Sequence, residues 1–133
     1  MIEPYLNLTG RSNEAIDFYE AVFCGADKKI MRLSEMPTNP HFPIPDNMKD
    51  WVAHATITLR GTTFHFSDTQ PNTVTDGIIS LMTRFDTIES LMETYGKLLN
   101  GGVVLMEPSP QSYAKMFAWV RDKFGIDWQL ICE

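Results

Sequence analysis

The chain has 133 residues, 44% of them apolar, and its eleven lysines and arginines against seventeen acidic residues leave a formal net charge of −6. That is the size of one globular domain, large enough to bury a core without disulfide staples. The acidic balance, with no basic cluster, excludes an electrostatic footprint for nucleic acid or anionic lipid, so the expected partners are a small molecule or another protein, with no nucleic acid and no membrane.

The opening "MIEPYLNLTG" has neither a basic region nor a long apolar stretch, and no apolar run reaches the length of a bilayer span, so a cytoplasmic protein is expected. "YLNL" reads as a short strand. From Ser12 to Cys24 the positions Ala15, Ile16, Tyr19, Val22 and Phe23 follow helical spacing, with Ser12 or Asn13 as the expected cap and Gly25 as the stop. "KKIMRLSE" is the next strand candidate. "MPTNPHFPIPDNMKD", residues 36–50, holds four prolines and no periodicity, which makes it a long loop, a lid or contact segment or else a disordered stretch, with His41 exposed on it.

"VAHATITL" and "TTFHFSD" follow as two strands around Arg60-Gly61. The second half repeats the order: "GIISLMTRF" as a strand, a helix opening on "DTIE" with Asp86 and Glu89 at capping-box spacing, a stop at Gly101-Gly102, then "VVLMEPSP", "KMFAWVRD" and "DWQLICE". Sliding the chain on itself by 72 residues overlays the two patterns. The economical reading is an α+β fold of two β-α-β-β-β modules, residues 1–70 and 75–133, within a single domain over 1–133.

With a two-residue turn at Arg60-Gly61, Leu59 pairs with Thr62, Thr58 with Thr63, Ile57 with Phe64, Thr56 with His65 and Ala55 with Phe66. One face then carries His54, Thr56, Thr58, Thr63, His65 and Ser67, all polar, and the other Ala53, Ala55, Ile57, Leu59, Phe64 and Phe66, nearly all apolar. A one-residue slip would mix the faces, so this register is favoured. It makes His54 and His65 diagonal neighbours with Cβ atoms about 7 Å apart. The residues alone leave three readings open: the wet side of a hairpin, the polar lining of a pocket, or half of a metal site.

Other features are weaker. Cys24 and Cys132 lack framework or metal spacing and are expected as buried free thiols. No Gly-x-Ser-x-Gly elbow, phosphate-binding loop or Cys-x-x-Cys pair is present. Trp51, Trp119 and Trp128 fit either the core or stacking on a planar ligand. Asp122 and Lys123 read as solvated turn residues. Strand parity sets Asp127 and Gln129 opposite to Trp128 and Leu130.

Taken together, "YLNLTGRSNEAIDFYEAVF", "HATITLRGTTFHFSD" and "MFAWVRDKFGIDWQL" resemble the PhnB-like proteins, also labelled demethylubiquinone methyltransferase-like, of the vicinal oxygen chelate superfamily that includes glyoxalase I, bleomycin resistance proteins and dioxygenases. The resemblance implies a mixed sheet curled into a cup around a small-molecule cavity, helices outside, and homodimers. On such a fold the polar hairpin face lines the cup, with Gln129 facing it and Trp128 outward. Metal enzymes of the superfamily take four donors, from the first strand and a late strand of each module. Those positions fall here at or beside Pro4 (with Tyr5 and Leu6), at Thr56 with His54 two residues before it, at Ile78, and at Gln129. One good donor of four makes neither a metal nor another cofactor expected. Methyl transfer is not expected either, because the first βα turn "LTGRSN" has one glycine where adenosylmethionine enzymes of the common kind are glycine-rich.

The function expected is therefore binding of an unidentified small organic molecule in a cup lined by His54, Thr56, Thr58, His65 and Gln129. His54 is the first candidate for proton handling, and whether the molecule is turned over is left open. The alternatives are a metal-dependent glyoxalase- or dioxygenase-type enzyme and a protein that sequesters a drug or metabolite.

Overall fold

The computed structural model describes residues 1–38, 40–41, 43–68 and 77–133. The expected strand and helix order is present: β1 (Tyr5–Leu8), α1 (Ser12–Phe23), β2 (Ala26–Arg32), β3 (Val52–Leu59), β4 (Thr62–Asp68), β5 (Leu81–Arg84), α2 (Ile88–Leu98), β6 (Val103–Gln111), β7 (Ala114–Arg121) and β8 (Asp127–Cys132). Two compact units, Met1–Thr73 and Val74–Glu133, each hold one four-stranded mixed sheet, ordered β1-β4-β3-β2 and β5-β8-β7-β6. This is the α+β pattern of two β-α-β-β-β modules, and neither sheet closes into a barrel. A short 3-10 turn at Leu33–Glu35 follows β2, which ends three residues before the expected strand does, and a second at Asp46–Met48 lies within the proline-rich loop.

In the first unit α1 buries Ala15, Ile16, Tyr19, Val22 and Phe23 toward β3 and β4, where Ala55, Ile57, Leu59, Phe64 and Phe66 are buried in turn. The Tyr19 ring lies 6.0 Å from that of Phe66. Neither Ser12 nor Asn13 is the cap residue: that position is Arg11, with no side-chain bond. The Asp68 carboxylate, at the end of β4, accepts the Ser12 N–H at 3.0 Å through Oδ1 and the Val52 N–H at 2.9 Å through Oδ2. A negative charge at a helix N-terminus satisfies an orphan donor and favours the dipole, and here it comes from 56 residues away. Cys24 closes the helix in the left-handed region at φ 52 and is exposed, against the expectation of a buried thiol; Cys132 is buried as expected.

In the second unit α2 buries Leu91, Thr94, Tyr95 and Leu98 over β7 and β8. Its cap is Thr87, whose Oγ1 accepts the Ser90 N–H at 3.1 Å, one residue later than the expected Asp86 box. The two N-caps, Arg11 and Thr87, are thus 76 residues apart instead of 72. Asp122 is not a solvated turn residue. It is buried, and its carboxylate accepts the Phe124 and Ile126 N–H groups and the Trp128 indole N–H at 2.9, 3.1 and 2.9 Å, so the β7–β8 turn is wound around it.

Candidate functional site

The β3–β4 register is the one the faces demanded, from Leu59↔Thr62 through Thr58↔Thr63, Ile57↔Phe64 and Thr56↔His65 to Ala55↔Phe66. The Arg60-Gly61 turn has φ values of 49° and 85°, the positive pair of a type I′ hairpin whose twist suits the flanking strands. The apolar face meets α1, and the other face is left to the polar residues. Parallel pairing of β1 sets Tyr5 beside His65 and Asn7 beside Ser67, while β2 sets Lys29 beside Thr56 and Met31 beside His54. Directly opposite residues share a face, so four strands converge there.

The two histidines are in contact. His54 Nε2 and His65 Nδ1 are 3.1 Å apart, and His65 Nε2 is 3.1 Å from Glu3 Oε1. His65 and Glu3 are partly buried, whereas His54 is exposed. Tyr5 stacks on both rings, with centroids 5.6 Å from His65 at an interplanar angle of 5° and 6.1 Å from His54 at 30°. Ser67 Oγ donates to Asn7 Oδ1 at 3.3 Å. The result is a hydrogen-bonded line of carboxylate, imidazole and imidazole along a stacked aromatic edge, with the Thr56 and Thr58 hydroxyls on the same face.

Four of the five residues expected to line a site, His54, Thr56, Thr58 and His65, therefore share one face of the first sheet. Gln129 lies in the second unit, half-buried between Met82 on β5 and Trp119 on β7, on the side of its sheet away from Trp128. Sequence reasoning missed Glu3 and set Tyr5 aside as a poor metal donor. Strand parity held a signal for both, since Glu3 and Tyr5 share the parity that faces His65, and a carboxylate there can reach an imidazole. Trp51 is half-buried and packs on Gly10: a Cβ there would sit 3.1–3.2 Å from the indole. The lone glycine of the first βα turn thus makes room for a tryptophan.

A hollow of about 440 Å³ lies in the first unit among Ser34, Met36, Pro37, Pro40, Ile44 and Lys49, in the proline-rich loop and not at the histidines. On the side of the second sheet away from Trp128, Arg121 Nε and Nη2 hold the buried Asp127 carboxylate at 2.7 and 3.0 Å, which raises the guanidinium pKa further above its usual value. Ala114, Phe117 and Ile131 form a buried cluster with Trp119 packed on it.

The donors do not fit a catalytic metal. Such a site needs three or four atoms converging on one point, but the facing nitrogens of His54 and His65 bond to each other and the remaining His65 nitrogen bonds to Glu3. Among the described residues no group of three or more His, Cys, Asp or Glu is arranged to hold an ion.

Residues 1–131 match the family model of 3-demethylubiquinone-9 3-methyltransferase. A putative 3-demethylubiquinone-9 3-methyltransferase, PhnB protein, from Bacillus cereus is 28% identical over 99% of this chain and 98% of its own, with a TM-score of 0.81. Protein YjdN of Escherichia coli is 23% identical, covering 97% of this chain and 92% of the relative. The fosfomycin resistance protein FosX of Mesorhizobium loti is 7% identical over 100% of this chain and 90% of its own, with a TM-score of 0.67, a likeness of fold alone. No helix among the described residues is long and apolar enough to cross a membrane.

Proposed function

Because the chain belongs to the 3-demethylubiquinone-9 3-methyltransferase family, the PhnB-like group of the vicinal oxygen chelate superfamily, we propose that it binds a small organic molecule against the polar face of its first sheet, as a cytosolic homodimer and without a metal. His54 is the proton-handling and hydrogen-bonding group, Thr56 and Thr58 offer hydroxyls, and His65 backs His54. One observation carries the reading: the exposed His54 ends a line of hydrogen bonds through His65 to Glu3, stacked on Tyr5. A histidine on the wet side of a hairpin has no need of a partly buried imidazole and carboxylate behind it. The ordered chain has the form of a general base held in one orientation.

Transfer of a methyl group, which the family name describes, is not the reading favoured, since the one glycine of the Leu8-to-Ser12 turn is committed to Trp51. Thermal shift against a panel of metabolites and drugs tests the proposal. A compound that stabilises the parent protein and not His54→Ala supports it; a ligand recovered unchanged favours sequestration, and a changed product favours an enzyme. Stoichiometric zinc, nickel, manganese or iron in protein purified without chelator, lost in His54→Ala, would overturn the metal-free part. A monomer by light scattering at micromolar concentration would overturn the dimer.

A further inference from the structure

We propose that Glu3, His65 and His54 form a proton relay whose tautomers Glu3 sets, and that the molecule bound is a weak acid of the phenol or enol class, deprotonated by His54 Nδ1 and held as its anion with the help of Lys29. The ligand class rests on the binding reading above; the tautomers do not.

The argument starts at the carboxylate. Ionised Glu3 can only accept, so His65 Nε2, 3.1 Å from its Oε1, carries the proton of that bond. A neutral imidazole has one N–H, which leaves His65 Nδ1 as a bare acceptor. The 3.1 Å contact then requires the proton on His54 Nε2. Nδ1 of His54 is left with a lone pair, on a ring that is exposed. One acidic residue fixes both rings, and the basic nitrogen it leaves is on the outermost one.

Proton transfer through the line balances. The O–H bond of the ligand breaks with its electron pair kept on oxygen, and the proton goes to His54 Nδ1. The proton on His54 Nε2 passes to His65 Nδ1, and that on His65 Nε2 passes to Glu3. Both imidazoles end neutral in the opposite tautomer, Glu3 ends as the neutral acid, and the negative charge has moved to the ligand oxygen. Lys29 lies on the same face, paired with Thr56 on the neighbouring strand, exposed and in no ion pair among the described residues. It is the cation available to that oxygen. The rings of Tyr5, His65 and His54 offer flat surface to a planar ligand. Glu3 and His65 are positioning residues here, because they act through His54.

Two measurements test this. Nitrogen-15 NMR of the histidine rings, on the unliganded protein at a pH where they are neutral, should show a single Nε2–H tautomer at both His54 and His65. Glu3→Ala should bring in Nδ1–H at His65, whereas Glu3→Gln, which keeps an acceptor oxygen, should retain the parent tautomer. Nδ1–H at His65 in the parent, or no change in Glu3→Ala, overturns the relay and leaves small-molecule binding standing. The second measurement uses 4-nitrophenol, whose absorbance separates phenol from phenolate. The parent should raise the phenolate fraction, and Glu3→Gln, unable to take the last proton, should form about tenfold less, the worth of one pKa unit. His54→Ala should form none. Equal phenolate from all three proteins, or no binding by a parent with the expected tautomers, overturns the ligand class.

Discussion

The two units share one topology and use the side of the sheet away from the helix differently. In the first, that side is a polar face of histidines, threonines and Tyr5; in the second, the corresponding strands carry the buried Phe117 and Ile131, with Trp119 and the Arg121–Asp127 pair. The covered sides are alike, each an amphipathic helix on an apolar stripe. A repeated fold therefore does not repeat its chemistry: the shared part is what the helix must bury, and the opposite face is where the units diverge.

The contrast can be broken most directly with Phe117→Ala. Removing a buried ring from the second sheet should cost about 4 kcal/mol in urea unfolding; a loss under about 1 kcal/mol would mean that this face is not core. Asp122→Ala comes next, at about 3 kcal/mol, because it strands two backbone N–H groups and an indole N–H that now share one carboxylate. Asp68→Ala should cost about 2 kcal/mol, through the lost acceptor at the start of α1 and of β3. By contrast His54→Ala, on the open face of the first unit, should change stability by no more than about 0.5 kcal/mol while abolishing ligand-induced stabilisation. A large stability loss there would make the histidine line structural.

The smallest effect is a pH dependence of the second unit. Burial, and then the nearby Glu107 charge, raise the Tyr95 phenol above its ordinary value of 10.0. A folded-state pKa above the unfolded one means stability that is complete below about pH 10 and is lost as pH rises through the folded value. Tyr95→Phe should flatten this alkaline decline, as followed by circular dichroism. An identical decline in both proteins would remove Tyr95 from the account.

Alternation made the hairpin legible down to its pairing, since only one register keeps Thr56, Thr58, Thr63 and both histidines on the side away from Ile57, Phe64 and Phe66. Helical spacing gave the buried stripe of α1. The residues that escaped were carboxylates acting at long range. Asp68 caps a helix 56 residues earlier in the chain, and Glu3 reaches His65 across 62 residues. Nothing local distinguishes such an acid from a solvated one. Asp122 was hidden for another reason: a turn sequence does not say whether it wraps its own carboxylate or exposes it. The site was legible as a face and illegible as a line of bonds, because its first member sits just ahead of β1.

The hairpin turn also bears on the order in which this unit is made. With φ already positive at Arg60 and Gly61, β3 and β4 meet through a two-residue closure, which for a hairpin takes about 1–10 μs. The parallel pairing that brings Tyr5 to His65 must close a loop of some sixty residues and carries the larger entropic cost. The two histidines thus come together early and wait for Glu3, so the Glu3–His65 bond is a marker for the last stage of folding. Mutational Φ analysis should give high values in the 52–68 hairpin and values near zero in β1. The reverse pattern would mean that β1 docks first and templates the hairpin.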